Sequence, residues 1–303
     1  MRSQMILAIL LAAGNALAVE ISGTITSTLS ITEDSWLTGN VTCQVQGAPC
    51  IRVDSPNITL WLSGYSITGL GNPPSGCAPP GDPGNSENGI QIGNGAIGHR
   101  RVEVLGPGLV QNFRGQGMLL RGTTTRATVK DITFNSNCWS GILLNTGTSD
   151  NDLEGNACSR NGNHFNPCGG ICIFNSNNNR VRQNVLSGNG YAVTSAAGYA
   201  TFANFGIALE GTSRGNTIEK NTASGNVNGI YLEPGVANNV VFQNIVVGNP
   251  PIQISESVDG FPGFDIRNFA PEIANTIVDN LCLTYSGAGP APCPSITRLA
   301  GGR

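Results

Sequence analysis

Charge is scarce in this chain of 303 residues: Asp, Glu, Lys and Arg together make up 12% of it. Sixteen cationic residues stand against 19 acidic ones, for a formal net charge of −3. That balance excludes the clustered basic surface a nucleic-acid partner demands. Lysine is nearly missing, with Lys130 and Lys220 its only examples, and the histidines are His99 and His164 alone. Aromatic residues amount to 6%, and strong helix formers are too few for an α or α/β domain. Past residue 18 no apolar run approaches the roughly 20 residues that span a bilayer, so no membrane span is expected.

What is present is glycine, 41 residues of it, abundant asparagine, and a hydrophobic fraction of 39%, enough to bury a core. The first 18 residues combine Arg2, an apolar run from Met5 to Ala13, and small residues at Ala16 and Ala18. They read as a secretory signal peptide, with the mature chain starting at Val19 and secreted, extracellular or periplasmic. All 9 cysteines follow it. Several are neighbours: Cys43 with Cys50, Cys158 with Cys168 and Cys172, Cys282 with Cys293. In an exported chain such short-range pairs point to disulfides, with an odd thiol left over.

Internal repetition decides the fold. A Gly or Pro followed by apolar, any, apolar recurs as Gly89-Ile90-Gln91-Ile92, Gly117-Met118-Leu119-Leu120, Gly141-Ile142-Leu143-Leu144, Gly170-Ile171-Cys172-Ile173, Gly206-Ile207-Ala208-Leu209, Gly229-Ile230-Tyr231-Leu232 and Pro251-Ile252-Gln253-Ile254. Asn-x-apolar-x-x-Asn follows most of them, as at Asn151 to Asn156 and Asn216 to Asn221, and Ser-x-Asn or Gly-Asn closes each unit. Each unit therefore predicts three short strands and three turns, one coil of an all-β parallel β-helix, a solenoid. Residues flanking each x point inward and stack coil on coil. Asparagine is expected at the corners because it tolerates left-handed backbone and its amide can bond to an identical amide in the next coil. The expected boundaries are capping coils over 19–70, regular repeats over 71–280, and a disulfide-tied tail over 281–303.

Long inserts at 71–88, 161–169 and 190–205 each precede a Gly-apolar strand, and one at 256–274 is expected to leave the opposite end of that face. They would wall a groove along the strands, where function on a rigid scaffold resides. Alternation places Gly93, Arg121, Asn145, Phe174, Glu210, Glu233 and Ser255 outward, in one column. Glu210 and Glu233 are thus expected one strand spacing apart, about 4.8 Å. Two carboxyls that close resist joint ionisation, so one takes up a proton near neutral pH or the two share a cation. Calcium at Glu210 and Glu233 is the one ion this pattern suggests; no other cofactor is predicted. Tyr231 faces the same way, and the insert at 190–205 supplies Tyr191, Tyr199, Phe202 and Phe205. Sugar rings stack on such aromatic faces, and paired carboxylates can serve as acid and base on a glycosidic bond. Glu210, Glu233 and Tyr231 are the candidate catalytic residues; Arg121, Asn145, Phe174 and the four insert aromatics are candidate substrate contacts. Cys168 and Cys172 near His164 would suit a soft metal only while reduced.

The stretches Ile21-Ser22-Gly23-Thr24-Ile25-Thr26 and Ser63-Gly64-Tyr65-Ser66-Ile67-Thr68-Gly69, with the Gly-Ile and Asn-x-apolar-x-x-Asn units, resemble bacterial right-handed parallel β-helix repeat proteins of the pectate-lyase-like superfamily. The resemblance covers nearly all of residues 20–285. It implies a secreted solenoid binding an extended polymer, a polysaccharide or other cell-surface polymer. It also implies two alternatives, a polysaccharide lyase, hydrolase or epimerase, or a periplasmic metal-delivery accessory protein. The chain has no paired-aspartate hydrolase motif and no Asp-Pro-His-Glu of the epimerases, so the choice between binding and catalysis stays open. A monomer is expected.

Overall fold

The computed structural model describes residues 18–71, 77, 81–95, 97–162, 168–190, 205–249, 263–288 and 291–293. The glycine-led segments form one face of a parallel β-helix. Ten short strands pair in sequence, each parallel to the next: Leu29–Ile31, Ile51–Val53, Ile90–Ile92, Met118–Leu120, Ile142–Leu144, Ile171–Phe174, Phe205–Glu210, Asn228–Leu232, Ile266–Asn268 and Tyr285–Gly287. The remaining sides make a sixteen-stranded sheet. In the middle coils these sides are separate pairs of strands such as Asp152–Glu154 and Ala157–Ser159. In earlier coils they merge into long bent strands, Glu103–Gln111 and Thr128–Asn135, whose register shifts between Lys130 and Ile132. Winding already begins within 19–70, where Leu29 pairs with Ile51 and Ile51 with Ile90. It continues past residue 280, where Ile266 pairs with Tyr285.

The core is a set of stacks. Ile51, Ile90, Met118, Ile142, Ile171, Ile207, Ile230 and Ile266 lie one above another and are fully buried. Each such side chain contributes about 1.5–3 kcal/mol by leaving water. The leading glycines have a steric cause. A Cβ on Gly206 would sit 2.6 Å from the carbonyl oxygen of Gly229, and one on Gly117 would sit 2.8 Å from that of Gly141. The coils pack too closely at this edge for any side chain.

Three asparagine ladders run along the corners. In one, Asn151, Asn179, Asn216 and Asn239 pass hydrogen bonds up to Asn275; in the second, Asn156, Asn184, Asn221 and Asn244 lead to Asn280. The third runs from Asn137 through Asn161, Asn189, Asn226 and Asn249 to the carboxylate of Asp265. The amide ladder is as the sequence suggests, but the left-handed backbone is not on the ladder asparagines. It falls one residue earlier, at Asp150, Asn178, Gly215 and Asn238 before the first ladder and at Gly155, Gln183, Lys220 and Gln243 before the second. The ladder residue is chosen for its amide: Oδ1 accepts twice and Nδ2 donates twice, which satisfies a buried side chain completely.

Four disulfides join Cys43 to Cys50, Cys77 to Cys138, Cys168 to Cys172 and Cys282 to Cys293, and Cys158 is a buried free thiol. The Cys77–Cys138 link spans 61 positions and joins two cysteines that were not among the sequence neighbours. Burial pushes the Cys158 thiol well above its ordinary pKa. No helix among the described residues is long and apolar enough to cross a membrane.

Candidate functional site

The outward column of the ten-stranded sheet follows directly from register. Arg121 lies beside Asn145, Asn145 beside Phe174, and Phe174 pairs with Glu210. Leu209 pairs with Leu232, which sets Glu233 beside Glu210. The next position differs from the expected one. Pro251 to Ile254 and Ser255 lie outside the described residues, and the strand that pairs with Asn228–Leu232 is Ile266–Asn268. The slot assigned to Ser255 is therefore Phe269, whose N–H bonds to the Leu232 carbonyl as that of Glu233 bonds to Leu209. The insert expected at 256–274 is corrected by the same strand, since Ile266–Asn268 lies within that range and belongs to this sheet.

The resulting column reads Phe174, Glu210, Glu233, Phe269. Both phenyl rings are exposed, at 37% and 46%, whereas Glu210 is buried. The Gly211 N–H donates to Glu233 Oε2, tethering that carboxylate to the coil that carries Glu210. Burial, reinforced by the charge of Glu233, pushes the Glu210 carboxyl up to about 7. The cause is chiefly lost hydration, with like-charge repulsion second.

Two residues earlier on the same outward face, Cys172, Ala208, Tyr231 and Arg267 occupy matching positions. Tyr231 is half-buried. Its ring stacks on Phe205 at 4.2 Å, almost parallel, and meets Phe269 edge-on at 5.9 Å. Desolvation, then the charges of Glu233 and Glu210, raise the Tyr231 phenol, while Arg267 works in the opposite sense. The Arg267 guanidinium lies over the Phe269 ring at 4.5 Å, a cation–π contact that holds the ring in place.

Of the candidate residues, the structure brings Glu210, Glu233, Tyr231 and Phe174 onto one patch. Phe205, expected as a free aromatic face, is instead buried in the strand Phe205–Glu210 with its ring against Tyr231. Tyr191, Tyr199 and Phe202 lie outside the described residues, as does His164. Asn145 shares the face on the coil next to Phe174 and Arg121 one coil beyond it, and both line a hollow of about 520 Å³ with Gly95, Gly122 and Thr146. His99 neighbours Asp54 rather than this patch, and burial lowers its pKa.

Two groups were not singled out from sequence. Arg267 and Phe269 escape because their strand reads Ile266-Arg267-Asn268 and lacks the second apolar residue of the repeat. The contact of Glu210 Oε2 with Cys168 Sγ at 3.4 Å and Cys172 Sγ at 3.5 Å is the other. Its signal was available, since Cys172 fills the outward x position one coil before Glu210.

Comparison of structures places the chain among proteins of related winding. It is similar to the Dettilon tailspike protein gp208 at 18% identity and a TM-score of 0.55, covering 91% of this chain and 57% of that one. It is similar to the periplasmic alginate epimerase AlgG at 15% identity and a TM-score of 0.54, covering 89% and 64%. DFA-IIIase from Arthrobacter chlorophenolicus A6, solved with DFA-III, gives 12% identity and a TM-score of 0.53, covering 85% and 64%. The chain thus spans less than two thirds of the length of these structures, and at such identities the likeness is one of fold. Sequence comparison with curated proteins finds no match. A family model described as a right handed beta helix region matches residues 84–270, more than half of the chain, and with the stacked parallel coils this establishes that the chain belongs to the right-handed β-helix family.

Proposed function

We propose that this is an exported protein that binds an extended, neutral polysaccharide along the outward column of its ten-stranded sheet. The observation that carries the reading is the order Phe174, Glu210, Glu233, Phe269 on four consecutive coils. At about 4.8 Å per coil the two exposed rings stand roughly 14 Å apart, near the reach of three sugar residues. Phenyl faces at both ends and hydrogen-bonding carboxyls between them match the alternation of apolar ring faces and hydroxyl edges along a glycan. The acidic Glu233 at the centre, with Glu210 beside it, disfavours a polyanion, which favours a neutral chain. Four disulfides support export. The alginate epimerase that shares the fold is an enzyme of a polysaccharide.

Binding to a panel of neutral and uronate-containing glycans tests this. Retention of a neutral polymer is expected, weakened about tenfold by either Phe174→Ala or Phe269→Ala, the loss of one central aromatic contact. Affinity untouched by both substitutions would overturn it. A second reading, glycan cleavage, is favoured by the Glu210 carboxyl, which keeps its proton up to about 7 beside Glu233, the condition for an acid and a base on one bond. It requires new chain ends from the bound glycan, abolished in Glu233→Gln; intact glycan after prolonged incubation leaves binding alone.

A further inference from the structure

We infer that Cys168, Cys172 and Glu210 form a redox-gated site for one thiophilic divalent cation of the zinc class. The three ligand atoms, two Sγ and Glu210 Oε2, lie within 4.8 Å of one another and all three residues are buried. Cys172 projects outward from Ile171–Phe174, Cys168 arches back over it, and Glu210 reaches across from the next coil. Rigid strands of two adjacent coils therefore hold two of the ligands in place without any need for the metal.

The contact itself is unusual for the oxidised pair. Among the described residues, the hydrogen-bond partners of the buried Glu210 carboxyl are the two sulfurs, and a disulfide has no proton to donate. A carboxylate facing only sulfur lone pairs has a reason to bind a proton or a cation. When the pair is reduced, the same geometry presents two thiolates and a carboxylate, which with water or the neighbouring Glu233 completes a four-coordinate zinc shell. Sulfur is a poor ligand for calcium, so the donor set here selects a softer ion than the one paired carboxylates alone would suggest.

Reduction is easiest at this pair on chain-entropy grounds. The Cys168–Cys172 loop spans 4 positions, against 7, 11 and 61 for the other disulfides, and loop closure stabilises short loops least. An external dithiol supplies the step. Its thiolate attacks one sulfur, a mixed disulfide forms, and its second thiolate resolves it. Two electrons and two protons pass to Cys168 and Cys172, and the dithiol leaves as its own disulfide. Metal entry then releases both thiol protons, and that of Glu210 where it is held.

The test uses the full chain, oxidised or reduced with a phosphine that does not itself bind zinc. Reduced protein is expected to take up one equivalent of Zn²⁺ more than oxidised protein, and Co²⁺ in its place should show thiolate charge-transfer absorption. Glu210→Gln should weaken Zn²⁺ about tenfold or more, the lower range for loss of a first ligand or its support. The double replacement Cys168→Ser with Cys172→Ser should remove the added equivalent while the other cysteines remain. Should the variants not fold, alkylation of reduced wild-type protein decides. Zn²⁺ must slow labelling of Cys168 and Cys172 at least tenfold relative to Cys282 and Cys293. Equal labelling rates, or equal zinc in reduced and oxidised protein, would overturn the proposal.

Discussion

Glu210 concentrates the electrostatic cost of the groove in one side chain. Folding moves it from water to a buried slot between Glu233 and two sulfurs, so the folded chain keeps a proton that the unfolded chain releases near its ordinary value. A folded-state value above the unfolded one means that the native state binds more protons between the two. Stability must then fall as pH rises from about 4.5 to about 7 and level off beyond. Burial of an ion with few donors sets the size, up to about 3 kcal/mol. Thermal unfolding of wild type and Glu210→Gln across that window should show the slope in the first and its loss in the second; parallel profiles would rule the assignment out. That Glu210 and Glu233 are neighbours follows from the repeat and the period-two alternation alone. Their sulfur partners do not, because Cys168 lies outside the strand and its direction is set by the turn that carries it.

At the scale of the element, the ladders and stacks do the holding. Asn221 illustrates the load on one rung. Its Oδ1 accepts from the N–H and Nδ2 of Asn184, and its Nδ2 donates to Asn244 and to the Val181 carbonyl. Asn221→Ala removes all four bonds and leaves the buried Asn184 N–H without its acceptor, while Asn184 Nδ2 keeps the Leu153 and Arg182 carbonyls and Asn244 Oδ1 keeps the residue 221 N–H, at a cost of about 3 kcal/mol. Asn275 ends its ladder and is half-buried, with bonds among the described residues to Asn239 and Val236, so Asn275→Ala should cost less. Chemical denaturation of both variants measures the difference, and equal losses would contradict the view that interior rungs carry the stability. The strand Ile266–Asn268 was hidden from pattern reading for the same reason that ladders exist. Where an Asn rung is replaced by Asp265 and the inward residue by Asn268, the periodic signal disappears, yet hydrogen bonds still hold the register.

On the scale of the whole molecule, each coil touches only the coils beside it, so disturbance should stay local. Asp265 closes the third ladder and caps the last coil: Oδ1 accepts from Asn249, and Oδ2 accepts from the N–H groups of Leu283 and Thr284. Asp265→Asn replaces one acceptor oxygen with a donor facing those N–H groups. Hydrogen exchange should quicken over Ile266–Asn268 and Tyr285–Gly287 and stay unchanged before residue 190. Loss of protection spread evenly along the chain would instead mark a single cooperative unit.

Periodicity was sufficient for the parallel β-helix, the inward and outward faces, the asparagine ladders and the adjacency of the two glutamates, because each follows from stacking equal units with a two-residue alternation. It could not supply Phe269 and Arg267, the burial of Phe205, the Cys77–Cys138 link or the sulfurs against Glu210. Those depend on where irregular segments rejoin the winding, and inserts of unequal length carry no period from which that return can be read.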